Sequence, residues 1–421
     1  MHRRGALVVF SPWSDAEHRH DGRVARDTGC FPSRERMPLS CIAPAMKPAV
    51  PTLMRAALAA SLLIGAPLMG LVAAGRPVQP YLEFPPQTRF VTHAPFSWTA
   101  FAVIGLLVIV CSWPLVRLAA GTAPHETPYI RRYAFPWWGW AGLAGGATSW
   151  LLAWNRWPWF APLQAHTFPM LWGCFIVVVN ALCHRRGGTC PMLAQPVRFA
   201  LLFPASAVFW WLFEYLNRFV QNWYYTGADY PPLTYFTLAS LSFATVLPAV
   251  VSVREWLLTF GRFQRQYQTK AGRPWRASRA TALTLLGVST GGLAGVGLWP
   301  DYLFPALWTA PLAIVLSLQM IGPGGPLLAA LGRGRWPVGA AAALSGLVCG
   351  FFWEMWNYHS LARWVYAVPW VDRFHIFEMP LLGYAGYLPF GIECALIGDI
   401  LLKPTYESVG SDVNTTYGSF N

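Results

Sequence analysis

The sequence has little charge and few acids. Charged residues make up 12% of the 421 residues, hydrophobic residues make up 55%, and the mean hydropathy is +0.37. A soluble globular surface of this size needs more charge, so the composition excludes an ordinary soluble protein. The net charge of +13 does not indicate nucleic-acid binding, because the Lys and Arg residues lie in short segments between apolar runs rather than on one basic face.

Motifs for common cofactors are also absent from the sequence. The eight cysteines show no CxxC spacing, and several lie inside apolar segments, which argues against a disulfide framework or a zinc site. A phosphate-binding glycine loop, a nucleophile elbow and a haem-attachment motif are all missing. We therefore expect no cofactor and no bound metal.

What the sequence does contain is a series of apolar segments, each close to the length that crosses a hydrocarbon core. They cover residues 53–74, 98–116, 137–154, 168–183, 199–219, 235–253, 281–298, 303–321, 338–356 and 380–402. With the amino terminus in the cytoplasm, most Lys and Arg residues of the loops fall on the cytoplasmic side, as topology rules require. The sequence predicts an all-α polytopic membrane helical bundle of about ten transmembrane helices. We expect it in the bacterial inner membrane, with both termini cytoplasmic.

Landmarks that occur twice in the same order indicate an internal duplication. They are Phe-Pro-x-Leu-Trp at 168–172 and 304–308, Glu-x-x-Asn at 214–217 and 354–357, Trp-x-Tyr at 223–225 and 364–366, and Leu-Pro at 247–248 and 388–389. Each copy has an even number of predicted spans, so both copies enter the membrane in the same direction. The sequence therefore predicts two tandem four-helix repeats in parallel orientation.

The predicted organisation follows from these landmarks. It comprises residues 1–45 as a disordered or mis-called extension, 46–136 with two leading transmembrane helices, 137–257 as the first four-helix repeat, 258–280 as a basic cytoplasmic linker, 281–402 as the second four-helix repeat and 403–421 as a polar tail.

The candidate catalytic residues are acids and amides inside apolar segments. Glu214 with Asn217, and Glu354 with Asn357, stand three residues apart, which places carboxylate and amide on one face of a helix. Glu393 lies within the last predicted helix. Ionisable groups at membrane depth are costly, so a functional role is the default hypothesis, and burial favours the neutral form that can act as an acid. Alternatively, these acids cap or join neighbouring helices.

Candidate substrate-binding residues follow the two Glu-x-x-Asn motifs along the chain. They are Trp223, Tyr225, His359, Trp364, Tyr366, His375 and Glu378. Most of the aromatic residues fit interfacial anchoring, and a wall of such rings also suits a polyene, a prenyl chain or a sugar. The histidines with Glu378 and Glu354 offer metal ligands, but without a compact spacing we favour free polar loop residues and predict no metal site.

The second copy resembles a known family. The run Trp353-Glu354-Met355-Trp356-Asn357, then Trp364 and Tyr366, then Leu388-Pro389-Phe390-Gly391-Ile392-Glu393, is similar to the landmarks of the small integral-membrane lycopene cyclases. In that family, carboxylates in duplicated helical units are thought to protonate the end of a polyene without redox chemistry. The resemblance implies an isoprenoid substrate and a membrane-embedded acid.

Three classes of function remain open at this point. The first is a cofactor-independent membrane enzyme that acts on an isoprenoid or another lipid through carboxylate acid–base chemistry. The second is a proton-coupled transporter, since duplicated bundles with intramembrane acids occur there too. The third is a non-catalytic component of a membrane assembly. All three imply membrane lipid as a partner and exclude nucleic acid.

Overall fold

The structure is a computed structural model that describes residues 50–120, 133–264, 278–322 and 324–404. The predicted extension 1–45, much of the predicted linker and nearly all of the predicted tail lie outside these residues. The long helices are α1 Val50–Ala73, α2 Trp98–Ala120, α3 Trp137–Trp154, α4 Thr167–Gly187, α5 Pro196–Val220, α6 Pro232–Phe243, α7 Val246–Leu258, α8 Arg279–Val296, α9 Pro305–Ile321, α10 Trp336–Tyr358 and α11 Tyr387–Leu401.

Short elements connect the long helices. The strands are β1 Trp223–Thr226, β2 Arg363–Tyr366, β3 His375–Ile376 and β4 Met379–Pro380. Short α-helical turns occur at Gln79–Leu82, Pro191–Ala194, Gly261–Gln264, Pro300–Leu303 and Pro326–Gly332, and 3₁₀ segments at Pro158–His166 and Leu381–Gly386. The chain is thus a mostly helical protein, as the sequence predicts.

Several helices are long and apolar enough to cross a membrane. Within the described residues there are seven by length and composition, or eight if Pro305–Ile321 and Pro326–Gly332, bent by 72°, form one span. Helices α3 and α8 are not among them. Trp and Gly residues lower the mean hydropathy of α3, and Arg279 with several Gly, Thr and Ser residues lowers that of α8. The count of about ten spans stays a prediction.

The predicted segment 235–253 has a two-residue turn between α6 and α7 in the structure, and the two helices together still form one membrane-length span. Pro248 explains the turn: it has no N–H to donate to the carbonyl of Ala244, and its ring crowds that carbonyl. Ser206 of α5 satisfies groups at the turn, since its hydroxyl donates to Phe243 O at 2.6 Å and accepts from Leu247 N at 2.9 Å. The turn therefore separates the little-buried α6 from the largely buried α7.

The region after α2 consists of two halves that pack into each other. We call residues 137–258 the first half and residues 279–401 the second half. Strands β1 and β2, one from each half, pair antiparallel. In addition, Trp172 of α4 packs on Trp353 of α10, with ring centroids 5.0 Å apart, and Trp308 of α9 stacks on Phe213 of α5 at 5.6 Å. The core is continuous across the two halves.

The two leading helices differ in how they attach. Helix α1 packs closely on α8, where a Cβ on Gly70 would lie 1.7 Å from the carbonyl oxygen of Ala294, so this approach requires glycine. In α2, by contrast, no residue of Trp98–Arg117 is buried. The segment between them crosses the first half, where Arg218 of α5 donates to the carbonyl oxygens of Glu83 and Pro80.

Candidate functional site

Glu214 accepts three hydrogen bonds on one carboxylate oxygen. Its side chain on α5 is completely buried. Oε1 accepts from Trp210 Nε1 at 3.0 Å, from Trp223 Nε1 at 3.1 Å and from the Tyr225 hydroxyl at 2.6 Å. Trp210 precedes Glu214 by one helical turn, and strand β1 supplies the other two donors. The sequence-predicted residues Trp223 and Tyr225 therefore contact the predicted acid directly.

Glu354 has a matching environment in the second half. This fully buried side chain on α10 accepts from the Tyr366 hydroxyl at 2.8 Å and from the Tyr387 hydroxyl at 2.5 Å, both on Oε1. Trp364 Nε1 donates to the Tyr366 oxygen at 3.0 Å. Strand β2 thus supplies one direct donor, and α11 supplies the other.

The two asparagine side chains make hydrogen bonds to the backbone at strands β1 and β2. Asn217 donates to Trp223 O at 2.8 Å and accepts from Asn222 N at 2.8 Å. Asn357 does the same for one residue of β2, donating to Trp364 O at 2.8 Å and accepting from Trp364 N at 2.9 Å. Each Glu-x-x-Asn motif therefore places a carboxylate under a strand and fixes that strand through the amide.

Each glutamate also has one donor that comes from a helix, and this helix differs between the halves: Trp210 of α5 for Glu214 and Tyr387 of α11 for Glu354. Helix α5 carries Trp210 one turn before its glutamate, whereas α10 carries Gly350 at the equivalent position. A Cβ on Gly350 would lie 2.3 Å from Cδ2 of Tyr387, so glycine makes room for that ring. In the first half the position equivalent to Tyr387 is Val246, before Leu247-Pro248. Sequence reasoning missed both Trp210 and Tyr387, although the aligned Leu-Pro pairs mark the position of Tyr387.

A single cavity of about 340 Å³ adjoins both carboxylate clusters. Its walls are mostly aromatic and apolar, and they include side chains from β1, β2, α4, α5, α6 and α11. The carboxylates themselves do not line it, whereas residues hydrogen-bonded around them do: Trp210, Trp223, Tyr225, Trp364, Tyr366 and Tyr387. The pairing of Trp223 with Tyr366 and of Tyr225 with Trp364 in the β1–β2 ribbon brings the two clusters to this common space.

Burial keeps the strand tyrosines protonated. Desolvation and then the neighbouring Glu214 carboxylate raise the pKa of Tyr225 well above its usual range. Desolvation and Glu354 raise the pKa of Tyr366 in the same way. Both hydroxyls therefore remain donors to the carboxylates at neutral pH.

Each glutamate also has one oxygen that no described residue satisfies. Oε2 of Glu214 and Oε2 of Glu354 are buried, and neither has a hydrogen-bond partner among the described residues. Oε2 of Glu393, 1% exposed on α11, is in the same state. Glu393 does not line the cavity, and at the aligned position the first half has Ser252, which accepts from Asn180 at 2.8 Å.

The remaining predicted residues lie outside the cavity. His359 packs edge-on against Trp154, with ring centroids 5.0 Å apart. The exposed His375 lies 2.8 Å from Asp372, and Glu378 lies 3.3 Å from Arg363. None of these three lines the cavity, and their part in substrate binding stays a prediction. Within the described residues, no group of three or more His, Cys, Asp or Glu side chains could hold a metal ion.

The fold and these contacts define a class: a mostly helical protein with several helices long and apolar enough to cross a membrane, and with two buried carboxylates beside one aromatic cavity. Comparisons with protein-family models, with curated proteins and with solved structures found no match for this chain.

Proposed function

We propose that this protein is a cofactor-independent membrane enzyme that acts on an isoprenoid or another lipid, with Glu214 and Glu354 as its acid–base groups. The observation that carries the proposal is the shared cavity, whose wall includes hydroxyl and indole groups hydrogen-bonded to both buried carboxylates. Titratable groups grouped at a largely apolar pocket are the usual marks of an active site.

The lining of the cavity favours an apolar substrate. Trp210, Trp308, Trp353 and Phe243 contribute rings, and Leu238 and Leu241 of α6 contribute aliphatic groups. A cavity of about 340 Å³ is at the small end of the range for small-molecule sites. It therefore accepts the end of a long lipid, while the rest of the molecule remains in the bilayer.

Two carboxylates suit a reaction in which protons move and no electrons are transferred. One acid delivers a proton to the substrate and the other accepts one, so that the protein returns to its starting charge. Such a step requires no oxidant or reductant. It also explains why both halves carry the Glu, Trp and Tyr landmarks.

We extend the proposal to topology. The protein has ten spans in the bacterial inner membrane, the last eight form two tandem repeats in parallel orientation, and both termini are cytoplasmic. The packing of α3 along α4 and of α8 along α9 supports this arrangement. At 18 residues, α3 and α8 are each about 27 Å long, close to a hydrocarbon core. The β1–β2 register is the one that two copies related by a local two-fold axis would form.

A proton-coupled transporter is the second candidate, and Glu393 favours it. Tyr387, Phe390 and Glu393 follow one another at helical spacing on α11, and a polar path to the cytoplasm would pass along this face. Phe390, however, is fully buried, and its ring packs against Trp308 of the second half and Phe209 of the first. This apolar plug supports the enzyme over the transporter.

The test is a lipid and pigment profile of a deletion strain complemented with variants. We expect the deletion to accumulate a precursor, wild type to remove it, and Glu354→Gln and Glu214→Gln to leave it in place although the proteins fold. Glu83→Gln is the control, because that side chain is exposed. An unchanged lipid profile in the deletion strain contradicts the enzyme proposal.

A further inference from the structure

Three tyrosine hydroxyls stand between the buried glutamates and the cavity. Tyr225 donates to Glu214, while Tyr366 and Tyr387 donate to Glu354. All three tyrosines line the cavity, and neither carboxylate does. A proton that moves between a carboxylate and a molecule in this cavity must therefore pass through one of the groups in the wall.

Phenols can pass a proton on, and indoles cannot. A phenol oxygen donates one hydrogen bond and accepts others, whereas an indole N–H only donates. Trp210 and Trp223 therefore hold the Glu214 carboxylate in place without offering a route for its proton. Tyr225 is the only phenol hydrogen-bonded to Glu214 among the described residues, so a route to this carboxylate runs through Tyr225.

The phenol oxygens of Tyr366 and Tyr387, which both lie at Glu354, differ in the hydrogen bonds that they accept. The Tyr366 oxygen already accepts from Trp364 Nε1 at 3.0 Å. The Tyr387 oxygen accepts no hydrogen bond from any residue the structure describes, although its hydroxyl donates to Glu354. Tyr387 thus has lone pairs available to a molecule in the cavity.

We propose that Tyr225 and Tyr387 are catalytic residues that relay protons between the cavity and the carboxylates of Glu214 and Glu354, with Tyr366 as a positioning residue. The inference rests on the proposed function. In the base direction, a substrate C–H or O–H proton moves to the tyrosine oxygen as the tyrosine's own proton moves to glutamate Oε1. The substrate loses one proton, the glutamate becomes a carboxylic acid and the tyrosine is unchanged. The acid direction reverses both transfers.

Deuterium incorporation measures this relay directly. Membranes that contain each variant are incubated in D₂O with the lipid extract of the deletion strain, and deuterium in the converted lipid is counted by mass spectrometry. We expect Tyr387→Phe and Tyr225→Phe to lower turnover and deuterium incorporation about 10²-fold or more, the usual size of a lost acid–base step. We expect Tyr366→Phe to lower turnover and deuterium incorporation by a smaller factor than the other two variants do. Tyr384→Phe is the control, since its hydroxyl donates to Ile376 O rather than to a carboxylate and the residue does not line the cavity.

The outcomes distinguish a failure of the proton relay from a failure of the proposed enzyme function. If Glu354→Gln abolishes incorporation while Tyr387→Phe and Tyr225→Phe match wild type, the relay is wrong and the enzyme proposal survives. If wild type neither converts a lipid nor incorporates deuterium, the proposed function fails, and the relay fails with it. Loss in Tyr384→Phe to the same extent also overturns the relay, because the effect is then structural.

A second variant covers the case in which Tyr387→Phe does not fold. Tyr387→3-fluorotyrosine keeps the ring and the hydroxyl and makes the phenol a stronger acid. We expect it to fold and to convert the lipid with a rate that differs from wild type and a shifted pH profile. A rate and profile identical to wild type contradict the relay.

Discussion

The guanidinium of Arg254 lies 2.7 Å from Asp399 Oδ1, and this contact joins α7 of the first half to α11 of the second. Glu255 Oε1 also lies 2.9 Å from Arg254 Nη2. All three side chains are almost completely buried. Because a buried charge requires a partner, the pairing makes the packing of one half on the other specific.

We predict that Asp399→Ala lowers the free energy of unfolding by about 3–5 kcal/mol, since it leaves the Arg254 side chain buried with one acid fewer. Thermal unfolding of the detergent-solubilised protein measures the effect. Asp229→Ala is the control, because Asp229 is exposed. Equal melting temperatures for the two variants would show that the Arg254–Asp399 contact does not hold the halves together.

A second prediction concerns Gly350 and Tyr387. Gly350→Ala places a methyl group against the Tyr387 ring and should destabilise the protein by about 1–3 kcal/mol, as overpacking does. The double variant combines Gly350→Ala with Tyr387→Val, and valine is the residue that the first half has at the position of Tyr387. Its melting temperature should fall less than the two single variants' decreases added together. A double-mutant cycle measures this coupling, and strict additivity would contradict it.

A third prediction concerns the strand contacts of the asparagines. Asn217→Ala and Asn357→Ala each remove two hydrogen bonds to the backbone of the chain at β1 or β2. We expect each to cost about 1–3 kcal/mol of stability, because buried N–H and C=O groups lose their partners. Asn155→Ala, at an exposed position, serves as the control in the same unfolding assay. Variants that match it would refute the strand-holding role.

The sequence alone identifies the parts of the site that occur twice. Glu214, Glu354 and the Trp-x-Tyr pairs repeat with similar spacing, and a carboxylate inside an apolar segment is noticeable without a structure. The donor that comes from a helix could not be found this way, because it lies on α5 in one half and on α11 in the other. A repeat search shows what the copies share, and Tyr387 is where they differ.

The fold, too, could be predicted only in part from the sequence. The apolar segments predict a helical membrane protein, which the structure supports with seven or eight membrane-length helices among its described residues. The turn between α6 and α7 could have been predicted from Pro248, since proline removes a helical hydrogen bond. The positions of His359, His375 and Glu378 could not, because polarity alone does not determine which way a connecting loop folds.

The last prediction concerns the space in the cavity. Ala239 of α6 lines the cavity, and Ala239→Phe would fill part of the about 340 Å³ without replacing a residue that is hydrogen-bonded to either carboxylate. If a lipid end reacts there, the added ring displaces it from the relay tyrosines, and turnover falls about tenfold or more, because small misplacements of a substrate are costly. Ala144→Phe on the exposed face of α3 adds the same ring away from the cavity and should leave turnover unchanged. Precursor levels in complemented deletion strains measure both variants. Full turnover in Ala239→Phe would mean that the substrate reacts elsewhere, since a ring of this size leaves little room for a lipid end beside it.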